Sequence, residues 1–221
     1  SDIYRDMGIE KSEHISKILD FDSSRAIWKE TYNRSPNPQD VSKLFEEFRD
    51  NQRTLVKNHM TILPETQPVI RELKRNGVKI AVHTGFDQDT MIAILEKLNR
   101  FEIFPDASLS STCMNIPGRP DPSMIYELMK RCDVQDPKEV VKIDDTPVGI
   151  KEGINAGCHT IGVTRWSAHM DVNDPSEFNV IDEDHNFRMK RMNQCIDYLN
   201  SYHPDYATSN LYCAGDIILN I

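Results

Sequence analysis

Two adjacent carboxylates, Asp144 and Asp145, follow a short apolar run and are the pair in this chain best suited to binding a cation. Next to each other at the end of a buried strand, they would repel one another and be costly to bury without a compensating positive charge. Mg²⁺ prefers such oxygen ligands and keeps several of its waters. We therefore expect a magnesium site here. The alternative makes one aspartate the N-cap of a helix beginning at Pro147, which requires only one of the two carboxylates.

Two other segments offer groups that suit an anion. Thr84 and Gly85 follow another β-rich run. There, a hydroxyl and backbone N–H groups at a helix N-terminus can bind a phosphoryl oxygen. Arg119 lies in a Gly-Arg-Pro-Asp-Pro segment, whose prolines stiffen the loop, and a fixed guanidinium matches a pair of anionic oxygens. Taken singly, each residue also has an ordinary interpretation, a capped turn for Thr84 and a surface side chain for Arg119.

A lysine and a histidine near the start of the chain form a third candidate pair. Lys11 and His14 are three residues apart, so on a helix they share a face. A lysine desolvated by packing has a lowered pKa and can act as an amine nucleophile. Most lysines on amphipathic helices are simply solvated, and the spacing alone leaves both interpretations open.

The elements that must position these residues alternate between helix and strand. The opening third is helical, with apolar residues at helical spacing in Glu10–Leu19 and Val41–Leu55. Four short β-rich runs follow, separated by helical segments: 78–83, 107–109, 139–143 and 159–163. This alternation predicts a parallel sheet covered on both faces. Ligands of such sheets collect beyond the carboxyl ends of the strands, where Thr84 and Asp144 fall.

Composition limits the classes of partner. The net charge of −9 argues against nonspecific binding to nucleic acid. It allows a small anion held by a local arginine, lysine and metal. The five cysteines are odd in number and widely spaced, which favours reduced thiols in a cytoplasmic protein. No apolar run is long enough for a membrane span.

In this order, the motifs resemble the haloacid dehalogenase superfamily. Thr84 stands where that superfamily has its hydroxyl motif, Arg119 at its cationic motif and Asp144-Asp145 at its acidic motif. The resemblance implies a Rossmann-like parallel sheet core with a small α-helical cap. We expect the cap at residues 1–62 and the core at residues 63–221.

A more specific similarity is to the phosphonoacetaldehyde hydrolase family. Four segments of the chain match that family's motifs: Met7–His14, Thr84–Phe86, Gly118–Pro122 and Asp145–Gly157. The resemblance implies a hydrolase that splits the carbon–phosphorus bond of a small-molecule phosphonate, phosphonoacetaldehyde, into acetaldehyde and phosphate. It also implies a homodimer through the cap. The apolar stripe of Val41–Leu55 is compatible with that dimer and equally with a place in the internal core.

The family's residue roles carry over to matching positions. The resemblance implies that Lys11 forms a Schiff base with the aldehyde and that His14 assists proton transfer. It places Met7, Gly8 and Gly85 among the substrate-binding residues.

At the phosphoryl end, the family roles fall on the sheet. Thr84 and Arg119 would hold the phosphoryl group. Asp145, with Asp144, would hold Mg²⁺.

The chain departs from the family at three places. The family's nucleophilic aspartate lies on a strand before the cap, and only Ser1–Asp6 precede the cap motif here. That strand would lie between the runs at 78–83 and 139–143, and unsatisfied backbone groups there would cost about 1–3 kcal/mol each. We therefore expect that the chain either is incomplete or folds poorly alone. The other departures are Gly149, where some members carry aspartate, and Phe86, where tyrosine is common.

Two alternatives remain open. A magnesium-dependent phosphatase or phosphomutase of the same superfamily would use the same core and need no imine from Lys11. A non-catalytic remnant would hold phosphate or a partner without turnover. Substrate preference separates the first alternative from the phosphonate hydrolase, and the upstream coding sequence tests the second.

Overall fold

A computed structural model describes residues 9–113, 116–165 and 185–221. Its α-helices are α1 (Lys11–Asp20), α2 (Asp22–Tyr32), α3 (Pro38–His59), α4 (Thr66–Arg75), α5 (Gln88–Arg100), α6 (Ser123–Arg131), α7 (Pro147–Ala156), α8 (His185–Asn200) and α9 (Leu211–Ile218). Its strands are β1 (Ala81–Thr84), β2 (Ala107–Ser110), β3 (Val141–Asp144), β4 (His159–Val163) and β5 (Tyr206–Thr208). In this part of the chain, no helix is both long and apolar enough to cross a membrane.

The N-terminal third is helical, as the periodicity predicts. α1, α2 and α3 precede the first described strand. Asn37 caps α3 by accepting hydrogen bonds from the N–H groups of Gln39 and Asp40 at 2.9 and 3.1 Å. The Asp40 carboxylate returns a contact to the Asn37 N–H at 2.8 Å, which completes a capping box. The capping box stabilises the first turn of α3, a helix of 22 residues.

The five strands form two parallel sheets, one of β1 and β2 and one in the order β3, β4, β5. All pairings are parallel, so the expected α/β architecture is confirmed. Within the described residues, no ladder joins β1 to β3. The gap between β1 and β3 lies where a missing strand is expected from the sequence, and the missing strand itself stays a prediction.

Several element boundaries differ from the sequence predictions. β3 begins at Val141 rather than at residue 139, because Pro137–Glu139 form a 3₁₀ turn. The Val140 N–H donates a hydrogen bond to the Pro137 carbonyl of that turn. The C-terminal tail holds β5 and α9, for which the sequence pattern gave no specific prediction. β5 has only three residues, too few for a recognisable alternation.

The cap helices lie against the core through an ionic cluster. α3 packs on α5, and its Arg49 and Arg53 lie 3.3 and 3.4 Å from the Asp87 carboxylate. Asp87 also caps α5 by accepting a hydrogen bond from the N–H of Thr90 at 2.8 Å. These contacts fix the helical layer that carries Lys11 relative to the sheet. The domain boundary at residue 62 stays a prediction.

Candidate active site

The carboxyl ends of β1 and β3 carry the residues predicted to act on an anion. β1 ends at Thr84 and β3 ends at Asp144. Arg119 reaches the second of these strand ends, with its NH1 atom 3.3 Å from Asp144 Oδ2. The structure therefore brings together two groups that are 25 residues apart in the sequence.

The loop after β1 is held by its own hydroxyl and by the end of β2. Thr84 Oγ1 accepts a hydrogen bond from the N–H of Phe86 at 3.2 Å, so the turn-capping interpretation is confirmed. The Ser111 N–H donates to the Thr84 carbonyl at 3.1 Å, and Ser111 Oγ donates to the Gly85 carbonyl at 3.2 Å. Because a hydroxyl both donates and accepts, capping is compatible with donation from Thr84 to a bound anion.

Asp144 is surrounded by donors. Its Oδ1 accepts from Thr146 N and Oγ1 at 2.9 and 2.7 Å. Its Oδ2 lies 2.9 Å from Lys142 Nζ and 3.3 Å from Arg119 NH1. Burial alone would raise the pKa of Asp144, but the Lys142 and Arg119 cations lower it to about 2. Asp144 is therefore an anion at all physiological pH values.

The N-cap of α7 is Thr146, whose Oγ1 accepts from the Gly149 N–H at 3.1 Å. The alternative that made one aspartate of the pair this cap is therefore wrong. The physical reason is that the Asp144 carboxylate accepts hydrogen bonds from the cap residue, Thr146, and not from the N–H groups of the first turn of α7.

A buried cluster centred on Lys142 was not predicted from the sequence. Its Nζ lies 2.9 Å from His83 Nε2 and 3.1 Å from Glu152 Oε2. Glu152 is fully buried on α7. Lys142 interrupts the apolar run of β3, and a lysine inside a strand predicted to be buried was the available signal.

The electrostatics of this cluster follow from burial next to cations. Burial lowers the pKa of His83 well below its usual range, and Lys142 and Arg119 add to that effect. Burial raises the pKa of Glu152, against the opposing influence of Lys142. His83 is therefore a neutral side chain and Lys142 is the cation that bridges β1 and β3.

Lys11 is the first residue of α1, in the helical cap, and is half-buried. Its Nζ is 5.8 Å from the centroid of the Phe48 ring on α3. Burial and the positive charge of Arg119 lower the pKa of Lys11, while Glu10 opposes the shift. A methyl group placed on Gly118 would lie 3.6 Å from Glu10 Cβ, so the start of α1 touches the loop of Arg119.

The remaining predicted residues fall in two groups. His14 is buried on α1, at 4% exposure, one turn after Lys11. Met7 and Gly8 lie outside the described residues. The roles assigned to all of these residues stay predictions.

The lowered pKa of Lys11 gives a test by pH. An amine attacks carbonyl and aryl reagents only in its neutral form, so a lowered pKa moves the reaction to lower pH. We expect Lys11 labelling by trinitrobenzenesulfonate, followed by peptide mass spectrometry, to reach half its plateau below the ordinary value of 10.5. A lysine-containing peptide labelled in parallel is the control, and coincident midpoints would contradict the expectation.

Of the two carboxylates at the end of β3, Asp145 fits a role as Mg²⁺ ligand better than Asp144 does. A carboxylate has about four lone-pair positions, and four donors approach Asp144. Asp145 is half-buried at the same strand end and offers hard oxygen atoms. Mg²⁺ is often held by one or two carboxylates plus waters and substrate phosphates. Within the described residues, no group of three or more acidic, histidine or cysteine side chains could hold a metal.

The family model for haloacid dehalogenase-like hydrolases matches residues 8–157. The chain belongs to this family, as the order of its motifs predicts. Among curated proteins, it is 30% identical over 158 residues to phosphonoacetaldehyde hydrolase of Paraburkholderia xenovorans, covering 72% of this chain and 59% of the relative. It is 29% identical over 209 residues to phosphonoacetaldehyde hydrolase of Latilactobacillus sakei, covering 95% of this chain and 77% of the relative.

A solved structure supports the same fold. The crystal structure of a phosphonoacetaldehyde hydrolase-like protein from Oleispira antarctica matches with a TM-score of 0.90 and 24% identity, covering 98% of this chain and 77% of that chain. The expected Rossmann-like core with a helical cap is therefore confirmed. The match to the Paraburkholderia relative spans about three-fifths of that protein's length.

Proposed function

We propose that this chain carries the aldehyde-binding and phosphoryl-binding residues of a phosphonoacetaldehyde hydrolase. The observation that carries the proposal is the half-buried amine of Lys11, which lies close enough to Arg119 for the guanidinium to lower its pKa. An ordinary phosphatase has no use for an amine of lowered pKa next to its anion site. A substrate with an aldehyde at one end and a phosphonate at the other uses both groups.

The phosphonate end of the substrate would bind at the carboxyl ends of β1 and β3. Arg119 supplies a planar, permanently charged fork, and its side chain is 15% exposed, so little water competes for it. Thr84 and the backbone of Gly85 supply neutral donors on the other side of the strand break. Together these groups favour the charge that develops on phosphoryl oxygens in the transition state.

The aldehyde end of the substrate would meet Lys11. The neutral amine attacks the carbonyl carbon, and loss of water leaves a protonated imine. The imine nitrogen then accepts the electron pair of the breaking carbon–phosphorus bond, so the carbon leaves as an enamine rather than as a bare carbanion. The phosphoryl group passes to an oxygen nucleophile, and water finally carries it away as phosphate. Protonation of the enamine and hydrolysis of the resulting imine release acetaldehyde and restore the amine. His14, one helical turn away, is the proposed proton carrier.

Mg²⁺ is the proposed cofactor, with Asp145 as its protein ligand; when bound, it would neutralise charge on the phosphoryl oxygens. No described residue is assigned as the acceptor of the phosphoryl group. At the phosphoryl end of the substrate, the proposed role of the described residues is therefore limited to binding by Arg119 and Thr84.

A panel of substrates, assayed with the whole protein that contains this chain, tests the proposal. Phosphonoacetaldehyde is expected to release acetaldehyde and phosphate in equal amounts, measured by coupled reduction of the aldehyde and by a phosphate assay. Phosphate monoesters of similar size are expected to react more slowly. Faster hydrolysis of the esters would instead identify a magnesium-dependent phosphatase, and phosphate binding without any turnover would identify a binding protein.

The homodimer also stays a proposal. α2 and α3 expose Ile27, Tyr32 and Leu55, each more than half accessible, and a second cap would cover such side chains. Sedimentation velocity would measure the assembly, and a monomer at micromolar concentration would rule it out.

A further inference from the structure

Two glycines on α7 leave room for side chains of β3. Gly149 and Gly153 are four residues apart, so they lie on one face of the helix. A Cβ on Gly149 would lie 1.9 Å from Asp144 Cγ, and a Cβ on Gly153 would lie 2.6 Å from Thr160 Cγ2 on β4 and 2.8 Å from Lys142 Cβ. The side chain of Asp144 therefore excludes a side chain at position 149, and those of Lys142 and Thr160 together exclude one at position 153. We name this face of α7, Gly149 and Gly153, the glycine groove.

The two side chains in the glycine groove form a buried ion pair. Lys142 and Asp144 alternate by two along β3, so they point to the same face of the strand. Their side chains are 10% and 8% exposed, and their charged atoms are 2.9 Å apart. Burying both charges is expensive unless each is compensated. Glu152 contacts Lys142 at 3.1 Å, and Arg119 contacts Asp144 at 3.3 Å.

The same helix holds the Arg119 loop at a second point. Asn155 Nδ2 on α7 donates to the carbonyl of Pro120 at 2.8 Å. Arg119 is therefore held through its backbone neighbour by Asn155 and through its guanidinium by Asp144. Because four donors fill the lone-pair positions of Asp144, these contacts account for its carboxylate without a metal.

We infer that Asp144, seated in the glycine groove and paired with Lys142, is the positioning residue for Arg119. The charge of Asp144 orients the guanidinium towards the phosphoryl pocket, and Lys142 keeps the carboxylate in place. The inference rests on the anion-binding part of the proposed function and is independent of the imine chemistry of Lys11.

Moving the carboxylate from the strand to the helix tests the role of its charge. Asp144→Asn keeps the shape and removes the charge. Asp144→Gly with Gly149→Asp returns a carboxylate to the vacated space, and Asp144→Gly with Gly149→Asn fills that space without charge. The readout is the dissociation constant for inorganic phosphate with magnesium chloride, measured by isothermal titration calorimetry on the full chain. A melting curve for each variant confirms that it is folded.

The expected order of affinities is specific. Asp144→Asn and the Gly–Asn double variant should bind phosphate about 10- to 100-fold more weakly, the range set by loss of one charge-assisted hydrogen bond. The dissociation constant of the Gly–Asp double variant should return to within about threefold of the parent value, a difference close to ordinary departures from additivity. Lys142→Met should weaken binding, whereas Lys130→Met on the exposed side of α6 should not.

Three outcomes would overturn the inference. Equal recovery by the Gly–Asp and Gly–Asn variants would show that Asp144 only fills space. Parental affinity in Asp144→Asn would show that Arg119 needs no partner, and absence of phosphate binding by the parent chain would remove the pocket itself. A chain that shows the expected order yet fails to cleave phosphonoacetaldehyde would refute the proposed function and leave this inference standing.

Discussion

Replacing Lys11 with arginine is expected to abolish acetaldehyde release from phosphonoacetaldehyde, with a loss of roughly 10⁴-fold or more, the scale set by removal of a covalent catalytic group. Arginine keeps a positive charge and an alkyl stem over Phe48, so the cap should retain its packing. A guanidinium stays protonated at neutral pH and cannot attack a carbonyl. The expected loss is therefore chemical rather than structural.

Two measurements make the Lys11 result decisive. Borohydride reduction in the presence of substrate should add the two-carbon fragment to Lys11 in the parent chain and to no residue in Lys11→Arg. Lys17→Arg is the matched control, since Lys17 lies on the same helix and pairs with Glu13 at the surface. Retention of more than a tenth of the activity in Lys11→Arg would exclude the imine mechanism and favour a phosphatase.

The second large effect concerns Arg119. Arg119→Lys is expected to lower kcat/KM for phosphonoacetaldehyde by about 10²- to 10³-fold, the cost of losing one preorganised donor to the developing charge. Lysine keeps the charge next to Lys11 but loses the planar fork that can contact Asp144 and a phosphoryl group together. Steady-state kinetics measure the loss, and borohydride trapping at Lys11 should persist.

Arg131→Lys is the matched control for Arg119. Arg131 bonds to Glu127 and to the carbonyl of Ser108, and it lies on α6 outside the proposed pocket. Its replacement should leave kcat/KM within about threefold of the parent, as expected for a surface substitution. Equal losses in the two variants would show that the effect of Arg119→Lys comes from stability rather than from anion binding.

The fold and part of the site were predictable because they depend on local patterns. Alternation of apolar runs with helical periods predicts a parallel sheet, and the carboxyl ends of its strands predict where ligands collect. Thr84 and Asp144 were found by this rule alone. Arg119 was a candidate because of its proline-stiffened loop, but only the resemblance favoured phosphoryl binding over an ordinary surface arginine.

The cluster of Lys142, His83 and Glu152 could not be predicted in the same way. Its members come from β3, β1 and α7, and their contacts depend on the distance between two strands that no ladder joins within the described residues. Likewise, the N-cap of α7 is decided by a hydroxyl one residue beyond the aspartate pair. The Lys142 cluster is set by packing, which short-range periodicity does not record, whereas the cap of α7 is a local contact for which Asp144, Asp145 and Thr146 were competing candidates.

By itself, the sequence determined the order of helices and strands as far as β4, the strand ends that carry polar groups, and the chemical types available there. These features follow from side-chain periodicity and charge, which act over a few residues. Only the tertiary structure decided that Lys11 is half-buried near Arg119 and that Asp144 occupies space left by Gly149. Burial and close approach depend on how distant segments pack, and packing is what converts ordinary lysine and aspartate side chains into a candidate site.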